Sequence, residues 1–323
     1  MKYFSIIIFF LIQGSIESNA QACCSAGTPL SAQMGMEFMN KGELLVSLAY
    51  DYNYLNDQFK HSEQLETDDR SRTSQSILLR LQYAINNKLA FGVSMPYVSR
   101  SEINTASVSS FESLSASGIG DLLIQSNLTI LSKGKHNMLL SGGLKLPTGS
   151  NDERNELDIP LPADLQPGTG SWDGIIGSLY QMNNILGGDF HFNASITARF
   201  NGEGTRFDGR QTYQFGNAFQ FVSGLTYEML LKRSYIVPSV NLSYRRTYSD
   251  ITNGALTPST GGDWINIIPG LSYYYQDSFK VLLSTAIPIF RYLEGTQLTT
   301  TYRFFVQVQY TLKTVKNELP GNF

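Results

Sequence analysis

Apolar and polar residues alternate along most of this chain with a period of two, the signature of strands with one apolar and one polar face. In the first such run Leu44, Val46, Leu48, Tyr50, Tyr52 and Tyr54 share a face, and Ser47, Ala49, Asp51 and Asn53 share the other. The next run sets Ile77, Leu79, Leu81 and Tyr83 against Ser76, Arg80 and Gln82, then turns on Asn86-Asn87. Asn tolerates positive φ, so that pair predicts a tight hairpin. The chain returns through Leu89, Phe91, Val93, Met95 and Tyr97, with Pro96 on the opposite face as a candidate bulge or bend.

The pattern repeats to the end of the chain. A strand over 118–131 opposes Leu122, Ile124, Leu128 and Ile130 to Asp121, Gln125, Asn127 and Thr129. A short turn leads to Asn137–Leu146, where Leu140, Leu144 and Met138 face away from Ser141, Gly143 and Lys145. After a polar excursion over 150–168 come strands at 171–182 and 190–200, the latter with Arg199 on its polar face. One further strand runs from Tyr213 and Phe215 to Tyr227, and another carries Arg245 opposite Leu242 and Tyr244. Ile265 to Tyr275 and Phe279 to Tyr292 follow, and the facing of the second cannot be assigned from its sequence. In the last strand Tyr302, Phe304, Val306, Val308 and Tyr310 alternate with Arg303, Gln307 and Gln309.

This makes about twelve strands of about 10 to 14 residues, long beside the mode of about 5 to 6 in soluble sheets. Connections after even strands are short and those after odd strands are long. Long strands, an even number of them, and loops of alternating length predict an all-β fold, a transmembrane antiparallel up-and-down barrel. Lipid offers no partner to a backbone amide, and a closed barrel is the sheet without edges. Tyr and Phe near strand ends, including Tyr50, Tyr97, Phe190, Tyr213, Phe215, Tyr273 and Tyr302, are expected in interfacial girdles. The competing reading is a secreted soluble sandwich with an aromatic core.

Composition agrees with alternation rather than with a greasy chain. Charged residues make up 16% of the 323, against roughly a quarter in soluble domains. Aromatics reach 12%, yet mean hydropathy is only −0.14. The net charge of −3 comes from 24 basic and 27 acidic residues, and no basic stripe suggests nucleic acid.

Residues 1–20 read as a signal peptide: Lys2, the apolar run Phe4 to Ile12, and the small-x-small site Ser18-Asn19-Ala20. No apolar run reaches the roughly 20 residues a spanning helix needs. Residues 21–41 then form an N-terminal periplasmic segment with Cys23 and Cys24, residues 42–312 the barrel, and 313–323 a tail. The cysteines admit a lipoprotein anchor at Cys23, a thiolate metal site, or an oxidised pair in an exported segment; Ala20-Gln21-Ala22 suits the first poorly. The oxidised or free pair is the preferred reading.

Three motifs carry a resemblance. Gly118-Ile119-Gly120-Asp121-Leu122, Gly143-Leu144-Lys145-Leu146-Pro147-Thr148-Gly149 and Gly168-Thr169-Gly170-Ser171-Trp172-Asp173 resemble successive signatures of one outer-membrane family. It is the family labelled "putative MetA-pathway of phenol degradation", transporter-like barrels of Gram-negative bacteria. The N-terminal Cys-Cys-Ser-Ala-Gly-Thr-Pro-Leu and the acidic third loop resemble a Bacteroidetes-type variant. The resemblance implies a channel for passive passage of small molecules, hydrophobic or aromatic ones among them. The family label speaks for the barrel more than for phenol.

Enzyme chemistry has little support. His61 and His136 fall in connections and His191 near a strand start, with no pair at metal-ligand spacing. Asp121 and Asp173 with His191 are the one grouping that a hydrolase could use. Neither metal nor cofactor is expected. The polar face instead offers Asp51, Arg80, Asp121, Lys145, Arg199, Arg245 and Arg303 as lumen-lining candidates, either filtering solutes or pairing to plug the bore. Asp152, Glu153, Glu156, Asp158 and Asp164 in the long loop are gate candidates that could attract cations, bind Ca²⁺, fold inward, or stay solvated. A closed-lumen structural or ligand-binding barrel is the alternative function. The expected partners are outer-membrane lipid, a small solute and the barrel-assembly machinery.

Overall fold

A computed structural model describes residues 35–66, 70–104, 113–185, 188–206, 209–276 and 278–314. The signal peptide and the cysteine pair lie outside them. In chain order the strands are β1 (Glu43–His61), β2 (Arg70–Ala84), β3 (Leu89–Asn104), β4 (Ser113–Ile119), β5 (Leu122–Lys133) and β6 (His136–Leu146). Then come β7 (Asp173–Ile185), β8 (Phe190–Asn201), β9 (Glu203–Arg206), β10 (Gln211–Gln214), β11 (Ala218–Tyr227) and β12 (Ser234–Thr247). The last are β13 (Ile251–Thr252), β14 (Ala255–Leu256), β15 (Gly262–Tyr275) and β16 (Phe279–Lys313).

Each of eleven strands pairs with its neighbour in sequence, and β1 pairs with β16 to close the ring. All the pairings are antiparallel, and a ring of antiparallel neighbours requires an even number of staves. The resolution lies in β16, which bends at Glu294-Gly295, where Gly295 takes φ +84°. Its residues 279–293 pair with β15 and its residues 293–313 with β1. The Thr285 hydroxyl donates to the Arg303 carbonyl at 2.9 Å, so the two halves lie side by side. β16 therefore supplies two staves and the barrel has the expected twelve. The connection between them is a tight turn rather than the long loop that the alternation of loop lengths predicts.

Outside, the wall is apolar all round. Leu48, Ile77, Leu79, Val93, Ile124, Leu140, Ile196, Phe221, Val240, Leu271, Ile287 and Val308, taken in order round the ring, are all exposed. An apolar surface that encircles a molecule far exceeds the few hundred Å² tolerated on a soluble monomer. It meets lipid, which removes the soluble-sandwich reading. Inside, Ser47, Asp51, Ser76, Arg80, Gln82, Gln125, Asn127 and Gln309 are buried.

Strands β1 to β3 run past the expected ends, to His61, back to Arg70 and on to Asn104. Their extensions carry Arg70, Arg72, Arg100 and Glu102, which lie outside the alternating runs of the sequence. The facing of 279–292 also becomes clear. Lys280, Leu282, Ser284 and Ala286 point into the lumen. A bulge opposite Ile265/Asn266 places both Ile289 and Phe290 outside, and Arg291 then turns inward to Asp57 at 2.7 Å. One extra residue reverses the parity, so no single alternation fits the segment.

Short turns, the start of β1 and the end of β16 lie at one end of the barrel, which the shared pairing of Glu43 with Lys313 marks. Long loops lie at the other. There β9, β10, β13 and β14 form a separate four-stranded sheet. Tyr213 belongs to this sheet, buried, with Phe215 stacked edge-on at 5.0 Å. The expectation that these two rings join a lipid-facing girdle is corrected: their odd-numbered spacing continues that of β11, but residues 215–217 break the strand.

Candidate functional site: the lumen and its two closures

At the loop end, the excursion between β6 and β7 folds down over the bore. Its base is a contact of three glycines. A Cβ on Gly149 would lie 2.8 Å from the backbones of both Gly120 and Gly168, and one on Gly168 would lie 2.4 Å from the Gly149 carbonyl oxygen. Such an approach excludes any side chain.

One ion cluster locks this base. The Asp121 carboxylate accepts from Gly149 N at 3.0 Å and from Thr169 N at 2.9 Å, so it holds both rims of the loop. Lys145 sits between Asp121 at 2.6 Å and Asp173 at 3.0 Å and also donates to the Ser171 carbonyl. Asp173 accepts from the Ser171 hydroxyl and from Gly202 N. A second cluster seats the loop tip: Arg72 bonds both Glu102 and Asp164, Arg70 pairs with Glu102 at 2.7 Å, and Arg100 donates to the Asp164 and Gln166 carbonyls. Leu161 and Leu165 pack on Ala116 beside them.

Of the five gate candidates, Asp164 alone enters this buried cluster. Glu153 contributes its backbone N–H to the Gln166 side chain, Asp152 and Asp158 lie near Arg154 at the surface, and Glu156 is exposed. Among the described residues no three His, Cys, Asp or Glu are placed to hold a metal.

The turn end is closed by the chain's own N-terminal stretch. Residues 35–41, which were expected to lie in the periplasm, enter the bore in this structure. Lys41 N donates to Asn87 at the rim, and Met36 reaches an apolar socket of Leu123, Leu139 and Ile175. Glu37 accepts from Gln309 at 2.7 Å and lies 3.9 Å from Lys280. Asn127 donates to the Gly35 carbonyl at 3.0 Å. Gly35 has φ +48°, and the Arg80 guanidinium occupies the place of its missing Cβ, so only glycine suits that position.

Between these closures the seven lumen candidates all face inward. Asp51 and Arg303 form a two-pronged pair at 2.7 Å. Arg80 donates to Ser94 at 3.3 Å, and Arg245 lies 5.2 Å from the centre of the Trp264 ring. Arg199 stands beside the Asp121–Lys145–Asp173 cluster. Two cavities lie among the described residues of the bore. A cavity of about 340 Å³ lies along β8, β11, β12 and β15, lined by Asn193, Ser195, Val222, Ile268, Leu282 and Phe305 among others. A smaller one of about 70 Å³ lies under the folded loop.

The hydrolase grouping is not assembled. Asp173 pairs with Asn201 at the loop end of β8, and His191 lies ten residues down that strand, which is roughly 30 Å away. His191 instead contacts Asn183 at 3.2 Å, and His136 contacts the Tyr180 hydroxyl at 2.7 Å.

Above the membrane, Asp250 is buried against Tyr213 and Gly216 N, with Asp164 and Arg206 in its field. Burial pushes its carboxyl up to about 6, and burial together with the Asp250 charge raises the Tyr213 hydroxyl. A raised folded-state value means that ionised Asp250 weakens the loop sheet above pH 6. That penalty is relieved as pH falls from about 6 toward the usual carboxylate range, and is worth at most roughly 3 kcal/mol. Amide exchange in 211–214 and 251–256 is therefore expected to slow between pH 7 and pH 5 relative to its intrinsic rate. Asp250→Asn should remove the change, and an unchanged profile in the variant would count against this origin.

A family model described as "Putative MetA-pathway of phenol degradation" matches residues 57–289. The chain belongs to that family. The three glycine-bearing motifs lie within the matched residues and supply Gly120, Gly149 and Gly168 to the loop clamp described above. Neither this match nor the structural neighbours single out a Bacteroidetes-type variant. No functionally curated protein matches the sequence. Among solved structures, the COG4313 outer membrane channel from Pseudomonas putida F1 matches with a TM-score of 0.70 at 14% identity, over 86% of this chain and 98% of that one. The β domain of the Bordetella autotransporter BrkA aligns at 0.48 with 8% identity, over 83% and 100%. The translocator domain of NalP from Neisseria meningitidis aligns at 0.47 with 11% identity, over 87% and 92%. The first of these shares the barrel fold with this chain.

Proposed function

We propose that this member of the phenol-degradation family is an outer-membrane channel that lets small molecules, hydrophobic and aromatic ones among them, diffuse through its bore. The observation that carries this reading is the 340 Å³ cavity inside a closed barrel, lined by apolar and hydrogen-bonding side chains together. A bore lined only by paired charges would hold water and repel apolar solutes; Val222, Ile268, Leu282 and Phe305 give such solutes a surface to follow. The channel named for the Pseudomonas neighbour supports the same reading. Export through the N-terminal signal, insertion by barrel-assembly machinery and the absence of catalysis belong to it.

Single-channel recording of refolded protein in a planar bilayer is the test. Discrete openings are expected, and well-inserted protein without any would remove the channel. The second reading, a closed ligand-binding barrel, is favoured by one observation: both ends of the bore are occupied, by the 150–168 loop and by residues 35–41. Under that reading solute binds without conductance.

A further inference from the structure

The small cavity beneath the folded loop has an unusual lining. Arg199 reaches it from β8, where it is paired across the sheet with Ile175 and Ala218. It lies in the field of Asp173 and Asp121. Both carboxylates, however, are already engaged by Lys145 and by the loop's own donors. Among the described residues Arg199 makes no hydrogen bond and no ion pair, and its Nε is enclosed without a partner. An enclosed guanidinium donor left unpaired costs free energy that native structures rarely forgo.

The surroundings specify what would pair with it. The cations that line the cavity are Arg100, Lys145 and Arg199, and against them stand Asp121 in the lining and Asp173 on Lys145. One positive charge is left over. The remaining walls are apolar: Leu78, Pro96, Val98, Leu123, Pro167 and Ile175. A hydrated inorganic anion would lose its water against these walls and gain one guanidinium. A carboxylate on a short hydrocarbon satisfies both, since a guanidinium fork matches its two oxygens and the apolar walls take its carbon atoms. The volume, about 70 Å³, suits a small group rather than a long chain.

We propose that this cavity is a binding site for small organic monocarboxylates on their way through the bore, with Arg199 holding the carboxylate. The inference rests on the channel reading for its place in transport, but not for the binding itself. Titration of the full-length protein in detergent with sodium butanoate, sodium benzoate, 1-butanol and sodium chloride tests it calorimetrically. Butanoate should bind and 1-butanol should not compete with it. Arg199→Gln should weaken butanoate at least about tenfold, the loss expected for a hydrogen bond to a charged group, and Arg199→Lys less. Val98→Phe, which fills the cavity and leaves the charges in place, should also abolish binding. Heat-shifted migration on gels reports that each variant is folded.

Benzoate binding with the same Arg199 dependence extends the site to aromatic acids, and benzoate excluded while butanoate binds sets its size; both support it. Equal affinity for butanoate and 1-butanol, chloride as tight as butanoate, or full affinity in folded Val98→Phe would overturn it. Conductance without butanoate binding removes the site and leaves the channel. Butanoate binding in a protein that conducts nothing removes the passage and leaves the site.

Discussion

Lys145→Met is expected to free the 150–168 loop while leaving the barrel closed. The ammonium is the shared partner of Asp121 and Asp173, and all three groups are buried. Removing it takes away the cation that bonds both carboxylates and leaves them only the field of Arg199, a loss of up to about 3 to 5 kcal/mol for a broken buried pair. The loss falls on the loop because Asp121 also holds Gly149 N and Thr169 N, the two rims. Protease cleavage between 150 and 168 should become fast in the variant, and gel migration of the unheated barrel should not change. Adding Asp121→Asn and Asp173→Asn to Lys145→Met should recover much of the resistance, since neutral amides tolerate one another. A loop as resistant in Lys145→Met as in the parent would mean that the glycine contact alone holds it.

How much of this was legible follows from where the period of two survives. Inside the membrane the outer face must be apolar at every second residue, so β1, β2 and the last stave could be read residue by residue. Once strands leave the lipid that demand ends, and Phe59, Arg72 and Glu102 no longer announce themselves as strand residues. The parity switch at Ile289 and Phe290 hides the facing of its strand because a bulge obeys local geometry rather than composition. Tyr213 misled in the opposite direction, keeping the spacing of a strand to which it does not belong.

The candidate site divides the same way. Asp51, Arg80, Asp121, Lys145, Arg199, Arg245 and Arg303 could be placed inward because alternation decides facing. Which of them pair could not, because pairing depends on register between strands and on the fold of the loop. Arg72, Arg100 and Glu102 were missed as site residues because they stand in polar stretches between the alternating runs, Arg72 before β2's run and the other two after β3's. Their only signal was two arginines and a glutamate near strand ends, in a chain sparing of charge. The acidic loop looked like a unit in sequence, yet its charges part company: Asp164 follows the buried leucines inward while Glu156 stays in solvent. Residues 35–41 offered no periodicity at all, since a segment packed inside a bore meets a different neighbour at each residue.

Removal of that segment should open the bore. A mature chain that starts at Asn40 loses Met36 from its socket and Glu37 from Gln309 and Lys280. Burial of the methionine is worth about 2 kcal/mol, and the polar contacts of Glu37 add about 1 more. About 3 kcal/mol leaves the segment seated in all but about one molecule in a hundred. Full-length protein should then show brief, infrequent large openings above a small basal conductance, and the shortened protein the large state continuously. Met36→Asp offers an intermediate case, because a carboxylate has no place among Leu123, Leu139 and Ile175; its large state should be more frequent without being permanent. Identical traces from all three proteins would place the resistance elsewhere, and the loop clamp at the opposite end is then the closure that remains. The two variants thus separate the closures: a bore limited by the N-terminal segment responds to its removal, whereas one limited by the loop responds to Lys145→Met.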